Sequence, residues 1–67
     1  MNEMILRKIK SLRRERGLAL QDVAEAIGYG SSKGYYEVES GKIKLRLEHL
    51  ERLAKFYNIP MIYFFKN

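Results

Sequence analysis

The side chains best suited to directional hydrogen bonding lie between Gly28 and Gly41, in the stretch Gly-Tyr-Gly-Ser-Ser-Lys-Gly-Tyr-Tyr-Glu-Val-Glu-Ser-Gly. The serine pair is suited to capping a helix, and the last glycine to ending one. Tyr35 and Val38 stand three residues apart, so they share one face of a short helix. The other face carries the hydrogen-bonding side chains of Ser32, Lys33, Tyr36 and Glu37. Because so short a helix is unstable alone in water, neighbours must hold it, and its polar face is left for a partner.

Apolar residues at helical spacing predict the scaffold around this short helix. We expect helices over 4–16, 18–27 and 47–57, and Pro60 can open a final short helix. The buried stripe predicted for the 47–57 helix consists of Leu47, Leu50, Leu53, Ala54 and Tyr57. Residues 42–46 alternate basic and apolar side chains; they fit a short strand or, as we favour, a loop that presents cations. The sequence predicts an all-α bundle of five helices in one domain, residues 1–67.

The charge of the chain suggests a polyanionic partner. Thirteen Lys and Arg against eight Asp and Glu give a net charge of +5 and a pI near 9.7. The distribution is uneven, with six basic and two acidic side chains in residues 1–16, one and four in 17–41, and six and two in 42–67. Because the polar helix lies in the acidic middle third, any grip on phosphate must come mainly from the flanking segments.

The residue types argue against an enzyme, a metal site and a membrane protein. There is no cysteine, and the single histidine, His49, lacks carboxylates or thiols at ligand spacing, so we expect it on the surface. Gly28-Tyr29-Gly30 follows no strand, which argues against a nucleotide-binding fingerprint. The chain has no apolar run of about 18 residues. We expect a cytoplasmic protein with no cofactor, no small-molecule ligand and no membrane partner.

Several short motifs occur in an order and spacing that resemble one known family. They are Gly17-Leu18, Val23-Ala24-Glu25, Ile27-Gly28, Val38-Glu39-Ser40-Gly41 and Leu50-Glu51-Arg52-Leu53-Ala54-Lys55. Together they resemble the Cro/CI-type helix-turn-helix family of phage and bacterial transcriptional regulators, over nearly the whole chain. The resemblance implies a five-helix, lambda-repressor-like DNA-binding domain whose third helix enters the major groove.

The resemblance also implies roles for individual residues. Ser31 matches the helix cap that touches phosphate, and the base-reading positions correspond to Ser32, Lys33 and Glu37, with Gly34 and Tyr36 beside them. Positions that meet the sugar-phosphate backbone correspond to Ser40, Lys42 and Lys44. Arg13 and Glu39 match two positions that usually form an ion pair.

Three features differ from the family pattern. Ala19-Leu20 replaces the usual Ser or Thr followed by Gln at the start of the second helix. In the family this Gln contacts the DNA backbone, whereas Leu20 can offer only its main-chain N–H group. The turn between Gly28 and Ser31 is one residue longer than usual. Leu45-Arg46 replaces Pro-Ser before the fourth helix.

The last helix suggests how the chain assembles. The positions of Met61, Phe64 and Phe65 pack inward in the family, whereas those of Ile62 and Tyr63 are commonly polar. Since all five are apolar or aromatic here, Ile62 and Tyr63 are predicted to form the contact of a homodimer. The alternative is that they cover the core of a monomer.

These observations favour a regulator that binds double-stranded operator DNA and represses transcription by occupying it. Activation through a polymerase contact is a second mode of action. The alternative function is a protein-binding antirepressor or inhibitor that uses the same fold, which the acidic middle third, Leu20 and the apolar tail favour.

Overall fold

The computed structural model describes residues 3–66, which contain four α-helices and one 3-10 helix. The helices are α1 (Glu3–Glu15), α2 (Leu20–Ala26), α3 (Ser32–Glu39) and α4 (Leu47–Tyr57), followed by the 3-10 helix (Met61–Phe65). These described residues include no strand. The all-α prediction is therefore confirmed, but the count of five α-helices is wrong. The first two and the last of the predicted domain's residues, 1, 2 and 67, lie outside the described range.

The fifth segment is a 3-10 helix rather than a fifth α-helix. The Tyr63 N–H donates to the Pro60 carbonyl at 3.0 Å, which is a three-residue bond rather than the four-residue bond of an α-helix. Lys8 of α1 holds the segment from outside. Its Nζ donates to the carbonyl of Tyr63 at 2.7 Å and to that of Lys66, and it lies 5.1 Å from the centroid of the Tyr63 ring.

Each of the four α-helices is followed, one or two positions beyond its last residue, by a residue with positive φ; these are Gly17, Gly28, Gly41 and Asn58. After α3 the N–H of Lys42 reaches back to the Glu37 carbonyl at 2.9 Å, and after α4 that of Ile59 reaches the Ala54 carbonyl at 3.0 Å. Such six-residue bonds satisfy carbonyls that the helix leaves open, and they require a left-handed residue between them. The sharp ends let short connections turn each helix back onto its neighbours.

The core takes one face from every helix. Its buried residues are Ile5, Ile9, Leu12, Val23, Ala24, Ile27, Tyr35, Val38, Leu45, Leu50, Leu53, Ala54, Tyr57 and Phe64. Two sequence-based expectations fail here, because the side chains of Leu47 and Phe65 are 61% and 52% exposed. Leu47 is the first residue of α4 and lies at the solvent-facing edge of the predicted stripe. In the 3-10 helix, Phe64 is buried and Phe65 is exposed. No helix within residues 3–66 is both long and apolar enough to span a bilayer.

α2 is shorter than predicted, since Leu18 and the extended Ala19 precede it and Ile27 is its C-cap. Ala19 occupies the N-cap position and has no side chain able to accept a hydrogen bond. The carboxylate of Asp22 compensates by accepting from the Ala19 N–H at 2.8 Å. A carboxylate in the first turn is also favoured by the helix dipole. α2 packs against α3.

Candidate nucleic-acid interface

α3 presents a buried face to the core and an open face to solvent, as its sequence predicts. Tyr35, Val38 and Glu39 are buried, whereas Lys33 and Tyr36 are exposed. The two remaining polar positions, Ser32 and Glu37, are half-buried at the border between the faces. The open face therefore offers a cation, a phenol and a carboxylate, which can donate to and accept from a partner.

Ser31 caps the start of α3. Its Oγ accepts from the Gly34 N–H at 3.0 Å, while its own backbone is extended. The serine stays exposed, so one side of its hydroxyl remains open to solvent.

Gly34 is needed by the fold for a reason that the sequence did not reveal. A Cβ built on Gly34 would lie 2.7 Å from Cε2 and 3.3 Å from Cδ2 of Tyr29, closer than side chains normally pack. The ring of Tyr29, in the turn before α3, therefore packs directly against Gly34. This contact accounts for a glycine whose cost in a helix interior is about 1 kcal/mol relative to alanine.

Cations follow the end of α3. The Ser40 hydroxyl donates to the Glu37 carbonyl at 3.1 Å, and Gly41 then turns the chain away from the helix axis. Lys42 and Lys44 are exposed in the segment that follows, which is a loop rather than a strand. Leu45 anchors this loop because its side chain is buried in the core. The two lysines are thereby held close to the carboxyl end of α3.

A buried ion pair joins α1 to the end of α3. Arg13 Nε lies 2.9 Å from Glu39 Oε2, and a second guanidinium N–H donates to Oε1 at 3.2 Å. The third arm of Arg13 donates to the Leu18 carbonyl at 3.1 Å. The Glu39 side chain is 1% exposed and that of Arg13 is 14% exposed. Bidentate geometry of this kind fixes the orientation of both elements.

The surroundings of this pair shift three pKa values. The hydrogen bond to Glu39 raises the pKa of Arg13, so the guanidinium stays charged. Burial, and then the negative charge of Glu39, raise the pKa of Tyr35. The same two causes raise the pKa of Tyr57 to about 12. The Tyr57 hydroxyl is buried with no hydrogen-bond partner among residues 3–66. Both phenols are therefore neutral at physiological pH, and within residues 3–66 the ion-pair partner of the buried Glu39 carboxylate is Arg13.

Two residues of α4 hold the turn between α2 and α3. Arg52 donates to the Ile27 carbonyl at 3.0 Å, and the His49 ring lies 5.2 Å from that of Tyr29. The expectation of a surface histidine is wrong, because His49 is half-buried and its Nδ1 has no hydrogen-bond partner within the described chain. The two residues stand three apart on one helix face, and that spacing was the available signal.

Ile62 and Tyr63 lie apart from α3, on the 3-10 helix. Their side chains are 59% and 37% exposed. Tyr63 rests partly on Lys8 of α1, whereas Ile62 faces solvent. In residues 3–66, His, Cys, Asp and Glu form no group of three or more that could hold a metal ion.

Comparison with known proteins places this arrangement in context. The chain is 43% identical over 58 residues to the cryptic phage CTXphi transcriptional repressor RstR of Vibrio cholerae. The alignment covers 87% of this chain and 51% of RstR, so the chain spans about half the length of that relative. No solved structure matches the chain significantly. A family model described as Helix-turn-helix matches residues 9–64, which include α2, the turn and α3. With most of its length matched in this way, the chain belongs to the helix-turn-helix family.

Proposed function

We propose that the chain is a sequence-specific DNA-binding domain that represses transcription by occupying an operator. The observation that carries the proposal is the open face of α3, which exposes Lys33 and Tyr36 and has the half-buried Glu37 at its border, while the opposite face is fixed in the core. Membership of the helix-turn-helix family supports the use of this helix in the major groove. The similarity to RstR, a transcriptional repressor by name, supports repression.

The spacing of the two charged side chains on α3 suits base reading. Lys33 and Glu37 stand four residues apart, which is about 6 Å along the helix axis. That distance is close to two base-pair steps of about 3.4 Å each. A lysine can donate to O6 or N7 of guanine, and a glutamate can accept from N4 of cytosine. The pair would therefore read base pairs about two steps apart in one half-site.

Phosphate contacts would come from the two ends of α3. Ser31 and Ser40 flank the helix with exposed hydroxyls, and Lys42 and Lys44 add two cations beyond it. The nearby carboxylate of Glu39 repels phosphate little, because Arg13 neutralises it inside the protein. This assignment is compatible with the acidic middle third of the sequence. Cations and hydroxyls at the ends of α3 would contact phosphate and position the protein, while the centre of the helix reads bases.

Selection of duplexes from a random pool tests the proposal, followed by titration of the selected duplex with Lys33→Ala and Glu37→Ala. Each substitution should change the preferred base pairs and cost about 1–3 kcal/mol of discrimination. Lys55→Ala is the matched control, because Lys55 is an exposed lysine in the last turn of α4, outside α3. If both α3 variants keep the affinity and the preference of the wild type, α3 is not the reading helix. A wild type that binds no duplex even at low salt supports the protein-binding alternative instead.

We further propose that two copies of the chain pair through Ile62 and Tyr63. The support is an exposed isoleucine beside two exposed aromatic residues, Tyr63 and Phe65, on one short segment. Contiguous apolar surface of this kind usually marks a contact, and a two-fold operator requires two reading helices about one DNA turn apart. The isologous arrangement would bring the same segment of each copy together.

Sedimentation at tens of micromolar tests the pairing, first on the free protein and then on its selected duplex. The wild type should sediment as a dimer, and the Ile62→Glu, Tyr63→Lys variant as a monomer. Ile43→Glu is the control for the free protein only, since Ile43 is an exposed apolar residue that lies far along the chain from the 3-10 helix, between two proposed phosphate-contacting lysines. A wild type that stays monomeric in both conditions contradicts the dimer.

A further inference from the structure

The turn between α2 and α3 places an aromatic ring where it can set the position of α3. Gly28 has φ +75°, and the Tyr29 N–H then reaches back to the Ala24 carbonyl at 2.8 Å. This closed helix end fixes the backbone of Tyr29, so the direction of its side chain is set by α2. Only Gly30 and the cap residue Ser31 separate Tyr29 from the first residue of α3.

The Tyr29 ring fills the space between α4 and the first turn of α3. On one side its centroid lies 5.2 Å from that of His49, and on another 6.5 Å from that of Tyr35 in an edge-to-face arrangement. Its Cε2 occupies the position next to Gly34, where only a missing side chain leaves room. α4 also fixes the base of the turn, through the bond from Arg52 to the Ile27 carbonyl. The ring is therefore packed against α4 and touches α3 in its amino-terminal half.

We propose that Tyr29 is a positioning residue for DNA readout, and that its ring sets the tilt of the first turn of α3. The inference rests on the proposed function and adds a residue that touches no base. A ring packed against Gly34 acts on the neighbouring Ser32 and Lys33, one turn before Glu37. The end of α3 is fixed separately by the ion pair between Arg13 and Glu39. Loss of the ring would therefore relax readout at one end of the helix and leave it intact at the other.

Position-by-position base preference, measured by duplex selection, tests this separation. The base pairs read by each end of α3 are identified first, from the changes that Lys33→Ala and Glu37→Ala cause in the selected sequence. Tyr29→Ala should then lose about fivefold or more discrimination at the Lys33-dependent positions and keep the wild-type preference at the Glu37-dependent ones. Tyr29→Phe, which keeps the ring, should match the wild type.

Controls separate positioning from simple loss of stability. Phe56→Ala removes an exposed aromatic side chain from α4 and should leave the base preference unchanged. If Tyr29→Ala does not fold, Tyr29→Leu replaces it, because leucine fills part of the volume without a planar ring against His49. A uniform loss at all positions, or an unchanged preference in a folded variant, would overturn the inference. A wild type that selects no duplex would instead refute the proposed function.

A second measurement requires no DNA. Gly34→Ala forces the Tyr29 ring out of its place, so its effect and that of Tyr29→Ala should not add. Amide signals of residues 32–34 in a ¹⁵N–¹H spectrum should shift in the Gly34→Ala variant. Tyr29→Ala should shift the same signals less when it is introduced into the Gly34→Ala variant than when it is introduced into the wild type. Signals of residues 37–39 should move little in all three variants. Additive shifts would show that the ring does not set the position of this turn.

Discussion

Arg13→Met is the substitution whose cost is best defined by the structure. It would leave the Glu39 carboxylate 1% exposed and without the two N–H groups that reach it at 2.9 and 3.2 Å. A buried charge deprived of its partner typically costs 3–5 kcal/mol, on the order of several hydrogen bonds. A domain of this size has a total stability of about 3–10 kcal/mol, from roughly 0.05–0.15 kcal/mol per residue. We expect Arg13→Met to remove about a third of the stability or more.

The opposite substitution should cost less because the two partners are not equally buried. Glu39→Gln leaves Arg13 charged, but its side chain is 14% exposed and keeps the bond to the Leu18 carbonyl at 3.1 Å. The expected cost is about 1.5–3 kcal/mol, the range for a lost hydrogen bond to a charged group. In Arg13→Met, Glu39→Gln no buried charge remains, so the double variant should be more stable than the sum of the single effects predicts.

Urea denaturation followed by circular dichroism at 222 nm measures all three variants. Arg14→Met is the matched control, because Arg14 is the adjacent arginine of α1 and is exposed. Its midpoint should stay near that of the wild type, since surface substitutions usually change stability by less than about 0.5 kcal/mol. Equal losses for Arg13→Met and Arg14→Met, or zero coupling in the double-mutant cycle, would refute the reasoning.

Three further predictions concern the cap, the cations and the buried phenols. Ser31→Ala should lower the free energy of unfolding by about 1 kcal/mol, because the Gly34 N–H loses its acceptor; urea denaturation measures this, and no change would argue against the cap. Lys42→Ala and Lys44→Ala should weaken binding to all duplexes alike and each reduce the salt slope by about 1, whereas a change in base preference would contradict a phosphate role. Above pH 10 the protein should lose stability, because a tyrosine of pKa 10.0 ionises there in the unfolded chain while folding raises the pKa of Tyr57 to about 12. Tyr57→Phe should make this alkaline loss shallower in urea titrations from pH 8 to 12, and an unchanged profile would exclude Tyr57 as a cause.

Much of the scaffold could be predicted because its signals are local. The bounds of α4, Leu47–Tyr57, agree with the sequence prediction, since apolar spacing and Asn58 mark both ends. The burial of Tyr35 and Val38 follows from their spacing in the same way. Hydrophobic period and helix-ending residues are properties of a few neighbouring positions, so they are readable without knowledge of the tertiary contacts.

The errors occur where distant parts of the chain decide the outcome. The partner of Gly34 is Tyr29, whose ring also packs against His49 of another helix, and no local pattern contains that second contact. The exposure of Phe65 depends on whether the last segment winds as an α-helix or a 3-10 helix, which changes the angle between successive side chains. The open face of α3 was predictable, whereas the residues that hold it in place were only partly so.

The two faces of α3 have different consequences for how the protein can evolve. Lys33 and Tyr36 project away from the core, so substitutions there change the surface offered to a partner at little cost in stability. New binding preferences can thus arise by single steps at these positions. Gly34 lies on the same short helix, but a Cβ there would be too close to the Tyr29 ring, which must shift to accept any larger residue. Substitutions within α3 are therefore tolerated at its exposed positions, whereas a substitution at Gly34 disturbs the packing of the preceding turn.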